Sequence, residues 1–311
     1  MSARKVSLFL RRLFAGCLWL AGISLLAVMT ACSDKNVRER QSTMVVAASE
    51  NGRIEDVTFP SAALGRSMQY RIVLPSSYLL QPQSRPRVLY LLHGRGGSYT
   101  NWQTMSHIAE AASLSSFILV MPPGDESYYL NAAYKPDSRY EDYITQDLIR
   151  DVELHYRVTT ERSGRAIAGV SMGGFGAVSL ALKHPEMYFF AGSLSGPMDF
   201  AERGFNFNNP DKSMVDTRLF GFGIMRRKED PLHLIRRFRS RQEEVPFLFI
   251  ACGLQDGLID VNRAFAKRLD ATSIPHIYSE ASGGHNWTYW NAEAQHLLSA
   301  LVDAAGVQKK S

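Results

Sequence analysis

Arg165-Ala-Ile-Ala-Gly169-Val-Ser171-Met-Gly173-Gly-Phe-Gly176-Ala-Val-Ser-Leu-Ala-Leu-Lys183 is the stretch on which the fold turns. Its first residues, Arg165 to Gly169, read as a buried strand, and Gly173 to Lys183 reads as a helix. Between them Gly169-Val-Ser-Met-Gly173 fits G-x-S-x-G. A strand that turns straight into a helix needs glycine on either side of the turn, because side chains there would collide with neighbouring backbone. The serine between them is presented at a helix N-terminus, where free N–H groups and the helix dipole favour a developing negative charge. The bare pattern is common. Strand and helix in the right places, with Gly174 and Gly176 beyond, make it specific.

Outward from this stretch the chain alternates. Ile54 to Phe59 and Met68 to Leu74 have the period-two pattern of half-buried strands. Arg87 to Leu92 is a nearly continuous apolar run of the kind buried on both faces of a parallel sheet. Further strands are expected at 117–121, 189–194, 247–252 and 276–280, with helices at 140–155, 261–271 and 292–305. Strands alternating with helices of ten or more residues imply right-handed crossovers and a mainly parallel sheet with helices on both faces. With the serine turn this predicts an α/β-hydrolase fold over residues 53–307. One interval, 199–244, is too long for a plain connection. It reads equally as a lid or binding loop and as a solvated insertion.

The N-terminus belongs to targeting. Arg4, Lys5, Arg11 and Arg12 precede an uncharged apolar run from Leu13 to Ala31, the layout of an export signal. Met29-Thr-Ala-Cys32 followed by Ser33-Asp-Lys35 resembles a bacterial lipobox, in which the cysteine is lipid-modified. Residues 1–31 are thus expected to be a lipoprotein signal, Cys32 the lipidation site, and residues 32–52 a polar tether. A bacterial cell-envelope location, with the domain held at a membrane through its N-terminus, follows. A nearby cleavage with an incidental cysteine, or an uncleaved anchor, are the competing readings. The formal net charge of +5 falls to +1 without the four basic residues of the signal. The basic character is therefore mostly a targeting device, and nucleic acid is not an expected partner. Of three cysteines only Cys252 lies in the folded part, so a disulfide framework is excluded there.

A serine hydroxyl needs a base, and in this fold the chain order is nucleophile, acid, histidine. Three of the eight histidines follow His233. His276 falls at the start of a strand and His296 within a helix. His285 sits in Ser282-Gly-Gly-His-Asn-Trp-Thr-Tyr-Trp290, a loop after the last strand, and is the expected base. Gly253-Leu-Gln-Asp256-Gly places Asp256 just beyond a strand C-terminus, where catalytic groups collect in open α/β sheets. Asp256 is preferred as the acid over Asp260, which can instead cap the next helix. Leu92-His-Gly94-Arg-Gly-Gly97 follows the central strand like the glycine-rich oxyanion loop of esterases. The expected backbone donors are the N–H groups of Arg95 and Met172. No metal-ligand spacing, Walker loop or dinucleotide fingerprint is present, and the chemistry calls for no cofactor.

Leu91-Leu-His-Gly94, Gly169-Val-Ser-Met-Gly-Gly174, Gly253-Leu-Gln-Asp256 and Gly284-His-Asn-Trp287 together resemble the esterase D-type family. That family includes tributyrin esterases, S-formylglutathione hydrolases, feruloyl and acetyl xylan esterases, and mycolyltransferases. The resemblance spans about residues 53–302. It implies Ser171 as nucleophile, Asp256 as acid, His285 as base, and backbone donors at Arg95 and Met172. Asn286 stands where an Asp is frequent in the family. Arg95-Gly-Gly97 and the export signal argue against the S-formylglutathione hydrolase branch. The closest general likeness is to short-chain esterases. The expected activity is hydrolysis of short acyl esters on a small molecule or glycan. An acyltransferase of the mycolyltransferase type and a non-catalytic envelope lipoprotein are the alternatives. Glu126-Ser-Tyr-Tyr129 and Trp287-Thr-Tyr-Trp290 read equally as aromatic walls for the site and as packing.

Overall fold

The strand that ends at the serine turn, β6 (Arg165–Val170), lies inside a nine-stranded sheet of order β1-β2-β3-β5-β4-β6-β7-β8-β9. The computed structural model describes residues 42–49, 52–115, 117–199, 208, 210–238, 245–272 and 274–307. The expected signal at 1–31 and the lipidation site Cys32 lie outside the described residues, as do 200–207 and 239–244 of the long excursion. Among the described residues no helix is long and apolar enough to cross a membrane.

The first three strands, β1 (Ser42–Ser49), β2 (Gly52–Ser61) and β3 (Arg66–Pro75), pair antiparallel. The remaining strands are β4 (Val88–Leu92), β5 (Ile118–Met121), β6, β7 (Phe190–Leu194), β8 (Phe247–Gly253) and β9 (His276–Ala281). These six run parallel, with β5 antiparallel to β3 at the seam. Val88, Tyr90 and Leu92 face one buried layer, and Leu89 and Leu91 face the other. Every residue of β4 is therefore buried, the reason it reads as an unbroken apolar run rather than an alternation.

Strand order places the site. From β4 the chain moves outward to β5 and then returns to the other side of β4 as β6. Crevices at such reversals, beyond strand C-termini, are where open α/β sheets bind ligands. The register Leu92↔Gly169 puts the His93-Gly94 loop beside the Ser171 turn. At the other end, Gly253↔Ala281 puts the Asp256 loop beside the His285 loop.

Three expectations are corrected. Ser42–Ser49, assigned to the tether, is an edge strand paired with β2. Its Met44 and Val45 side chains are exposed, so burial imposes no alternation on the sequence, and the register shifts between Val45 and Ala47. The helix expected over 140–155 is α-helical at Tyr140–Asp142 and Ile149–His155 but π-helical between, at Tyr143–Leu148. The closing helix starts at Trp287, five residues early.

The long excursion is not simply solvated. It contains helices Pro210–Phe220, Ile224–Glu229 and Pro231–Leu234 and a 3-10 turn, Ile235–Phe238. Phe220 is buried edge-on against Tyr128 and Phe175. The Asp230 side chain caps Pro231–Leu234 through the Leu232 N–H at 2.9 Å. The Ser179 hydroxyl donates to the Glu229 carbonyl at 2.8 Å. These contacts fasten the described part of the excursion to the helix Met172–Lys183 that follows the serine turn.

Candidate active site

Ser171 has φ 53° and ψ −119°, a conformation that L-residues rarely occupy. Strain of this kind costs on the order of 1–3 kcal/mol and is held only where the surroundings dictate it. Here the surroundings are backbone. A Cβ on Gly169 would lie 2.3 Å from the Gly173 carbonyl carbon, and one on Gly173 would lie 2.3 Å from the Leu92 carbonyl oxygen. The two glycines let helix, β6 and β4 approach closely enough to force the turn. The Ser171 N–H donates to the Leu194 carbonyl at 2.8 Å, tying the turn to β7.

His285 bridges Ser171 and Asp256. Its Nε2 is 2.8 Å from Ser171 Oγ and its Nδ1 is 2.8 Å from Asp256 Oδ2. The Asp256 residue is 3% exposed, and its Oδ1 accepts the Leu258 N–H at 2.9 Å. Burial by itself raises the Asp256 carboxyl. Hydrogen bonds from His285, Ser195 and the Leu258 N–H outweigh it and hold the carboxyl below its ordinary value. Asp260 is separated from this arrangement in character: its side chain is 92% exposed and pairs with Arg263 at 3.6 Å. His276 bonds the Ile274 carbonyl through Nδ1, and His296 is exposed. Of the acids and histidines weighed from sequence, only Asp256 and His285 join Ser171.

A second layer holds this group. Trp290 Nε1 donates to Ser195 Oγ at 3.1 Å, and the Trp290 ring packs edge-on against His285 with centroids 4.9 Å apart. Ser195, itself at φ 57°, in turn supports Asp256. Sequence reading missed Ser195, although Leu194-Ser195-Gly196 at the end of β7 is the position where site residues gather. Cys252, the nearby thiol, is buried. Burial first, and then the Asp256 charge, push it up to about 12, so it stays protonated and unreactive.

Met172, one of the two expected donors, follows the serine directly, and Arg95, the other, lines the same cavity as Ser171. Met172 opens the helix, so its N–H precedes the intrahelical ladder. The Gly94 carbonyl accepts from the Gly97 N–H at 3.0 Å and is 2.8 Å from His93 Nδ1. A trans peptide sends its N–H opposite to its carbonyl, so the Arg95 N–H points away from this turn. A Cβ on Gly94 would touch Ser171 Cβ at 3.3 Å, which shows how closely the loop passes the serine. His93 Nε2 accepts the Gly124 N–H at 2.8 Å, and the Tyr129 hydroxyl donates to the His93 carbonyl at 3.0 Å. Burial lowers the His93 pKa, in keeping with a neutral ring whose proton sits on Nδ1.

The cavity over Ser171 measures about 310 Å³ and includes Arg95, Met105, His285, Trp287 and Trp290 in its wall. Of the two aromatic segments weighed as its walls, only the second contributes. Tyr128 and Tyr129 are buried behind the loop, where Tyr129 braces His93. Leu219 to Met225 does not line this cavity: Leu219 and Phe220 are buried, and Phe222, Ile224 and Met225 face outward. Among the described residues no group of His, Cys, Asp or Glu could hold a metal ion. The arrangement presents a hydroxyl and an imidazole to one small cavity, with a buried carboxylate behind the imidazole, the components of acyl transfer.

Comparison with known proteins agrees with this geometry. The family model described as "Putative esterase" matches residues 61–300. An acetyl esterase of Caldicellulosiruptor saccharolyticus is 26% identical over 230 residues, covering 70% of this chain and 85% of that one. A diacylglycerol acyltransferase/mycolyltransferase, Ag85A of Mycobacterium gordonae, is 25% identical over 289 residues, 81% of each chain. The structure of the fluorophosphonate-binding serine hydrolase F of Staphylococcus aureus superposes with a TM-score of 0.69 at 24% identity, covering 81% of this chain and 98% of that one. At that identity the likeness speaks for the α/β-hydrolase fold. The match over residues 61–300 takes in β3 to β9 and all three side chains of the Ser171–His285–Asp256 arrangement, and by it this chain belongs to the esterase family and is a serine carboxylic ester hydrolase.

Proposed function

We propose that Ser171 is the nucleophile of a short-chain acyl esterase, with His285 as general base and acid and Asp256 as its orienting carboxylate. The observation that carries this reading is the unbroken chain of 2.8 Å contacts from Asp256 through His285 to Ser171 Oγ. Ser171 Oγ attacks the ester carbonyl while its proton passes to His285 Nε2. The oxyanion is received by the N–H groups of Met172 and Arg95. His285 then returns the proton to the departing alcohol, leaving an acyl-serine. Water, deprotonated by His285, attacks that ester, and the acid leaves as Ser171 regains its proton. Asp256 stays ionised and stabilises the imidazolium.

Short acyl groups suit a cavity of about 310 Å³ walled by Met105, Trp287 and Trp290. The acetyl esterase relative is in keeping with an acetylated small molecule or glycan as substrate. The test is a chain-length series of p-nitrophenyl esters with the wild type and Ser171→Ala, together with fluorophosphonate labelling. Activity is expected to peak at acetyl to butyryl and to vanish with labelling in Ser171→Ala. Undiminished turnover by Ser171→Ala would overturn the assignment. A second reading is favoured by the mycolyltransferase relative, in which a sugar or lipid hydroxyl replaces water on the acyl-serine. Scoring free acid against new ester with an acceptor alcohol present separates the two.

The same proposal places the enzyme in the bacterial envelope, tethered to a membrane by lipid on Cys32. Its support is the basic, then apolar, N-terminus and the Met29-Thr-Ala-Cys32 sequence. Labelled fatty acid should enter the wild type and not Cys32→Ala.

A further inference from the structure

A second cavity, of about 600 Å³, shares no wall residue with the one over Ser171. Arg227, Lys228, Arg237, His184, His233 and Ile224 contribute to it. Its acid, Glu229, is already engaged: Lys183 Nζ lies 2.6 Å from Glu229 Oε2 and also bonds Glu141. His184 Nε2 in turn bonds Glu141 at 2.8 Å. Lys183, Glu141, Glu229 and His184 thus compensate one another within the protein.

Arg227 and Arg237 have no such compensation: among the described residues neither side chain joins an ion pair or a side-chain hydrogen bond. Lys228 lies within electrostatic reach of Glu229. His233 Nδ1 is buried without a hydrogen bond, 3.6 Å from Asp230 Oδ1. Asp230 itself is fully buried and is used to cap the helix that begins at Pro231. Two guanidinium groups without a carboxylate partner, with the Lys228 ammonium beside them around one hollow, call for a compact, multiply charged anion. Phosphate fits: it carries about −1.5 to −2 at neutral pH, and its oxygens match the guanidinium fork.

We propose that this cavity is a binding site for a phosphate group, held by Arg227, Arg237 and Lys228 with His233 at its base. Two sources offer that group, a soluble phosphate and the headgroup of an anionic phospholipid. Ile224 and Leu234 give the cavity an apolar side, and Phe222 and Ile224 are 62% and 72% exposed, beside cationic Arg227 and Lys228. Apolar tips next to basic side chains match the boundary between headgroups and acyl chains.

The experiment uses the full chain in uncharged detergent micelles. Calorimetric titrations are run with inorganic phosphate and, separately, with micelles containing phosphatidylglycerol. Acetate at matched ionic strength corrects for screening. Arg227→Glu/Arg237→Glu is compared with the wild type, and Arg227→Gln/Arg237→Gln serves where charge reversal impairs folding. Saturable binding of either phosphate source, weakened at least tenfold by the substitutions, is expected. Binding of phosphate alone assigns a soluble ligand, and binding only of the lipid micelles assigns a headgroup. Absence of both, or binding that the substitutions leave unchanged, overturns the proposal.

Discussion

Asp256 and His285 lie 2.8 Å apart, with the carboxylate sealed at 3% exposure and the imidazole at the cavity wall. The pairing fixes which imidazole nitrogen carries the proton. Asp256→Asn keeps the volume but lets the amide NH₂ face Nδ1, favouring the wrong tautomer. Turnover of a short ester should fall roughly 10³–10⁴-fold. A loss below tenfold in steady-state kinetics would show that His285 does not depend on Asp256.

Because its folded-state pKa is depressed, Asp256 stabilises the protein at pH above its unfolded value of about 3.9. That contribution should fade as the pH falls through the lower folded value. In Asp256→Asn the acid limb of a denaturation curve, measured from pH 6 down to pH 2, should be correspondingly shallower. An unchanged limb would contradict the depressed pKa.

Ser171 should trade stability for function. At φ 53° glycine is less strained than any residue with a Cβ. Ser171→Gly and Ser171→Ala are both expected to be inactive. The glycine variant should be the more stable of the two by about 1 kcal/mol, the lower end of the strain expected for such a residue. Denaturant unfolding of the pair measures this directly, free of any difference in the lost hydroxyl.

Gly173→Ala should be severe without touching a reacting group. Its Cβ would sit 2.3 Å from the Leu92 oxygen, so the helix must move away from β4. A loss of about 2–4 kcal/mol is expected, in the range of mutations that strain a packed core. Activity should fall with it, since the displaced elements carry both the serine and the oxyanion loop. Thermal melting and ester turnover together check this.

His93 is expected to act through the loop rather than on substrate. His93→Phe leaves the Gly124 N–H unpaired and frees the Gly94 carbonyl from one donor. The cost should be about 1–3 kcal/mol of stability. Turnover should fall roughly 10–100-fold with KM little altered, a part of the full value of an oxyanion donor. The lowered His93 pKa also means that stability, complete above about pH 6.5, declines as acid protonates the unfolded chain first. The variant should lose that segment of the pH dependence, which equilibrium unfolding between pH 7 and pH 5 will show.

Much of this was legible along the chain where the cause is local. Gly169-Val-Ser-Met-Gly173 specifies its own turn, since the collisions that demand glycine involve residues and strands adjoining it. The unbroken apolar run of β4 identified a central strand because such a strand is buried on both faces. Edge strand β1 was not legible, because exposed Met44 and Val45 carry no burial pattern. Nor was the role of Tyr129, which in sequence reads equally as a substrate wall and as packing and proves to be a buried brace for His93.

By itself, the sequence determined the α/β alternation, the serine turn and the short roster of acids and histidines that could serve it. Strand periodicity and glycine sterics act over a few residues and leave their mark in order. Only the tertiary structure decided which members of the roster meet. His285 reaches Ser171 across 114 positions, and Asp256 rather than Asp260 is buried against it. It also recruited Ser195, Trp290 and His93, whose significance lies in hydrogen bonds between strand ends that the order β5-β4-β6-β7-β8-β9 brings side by side.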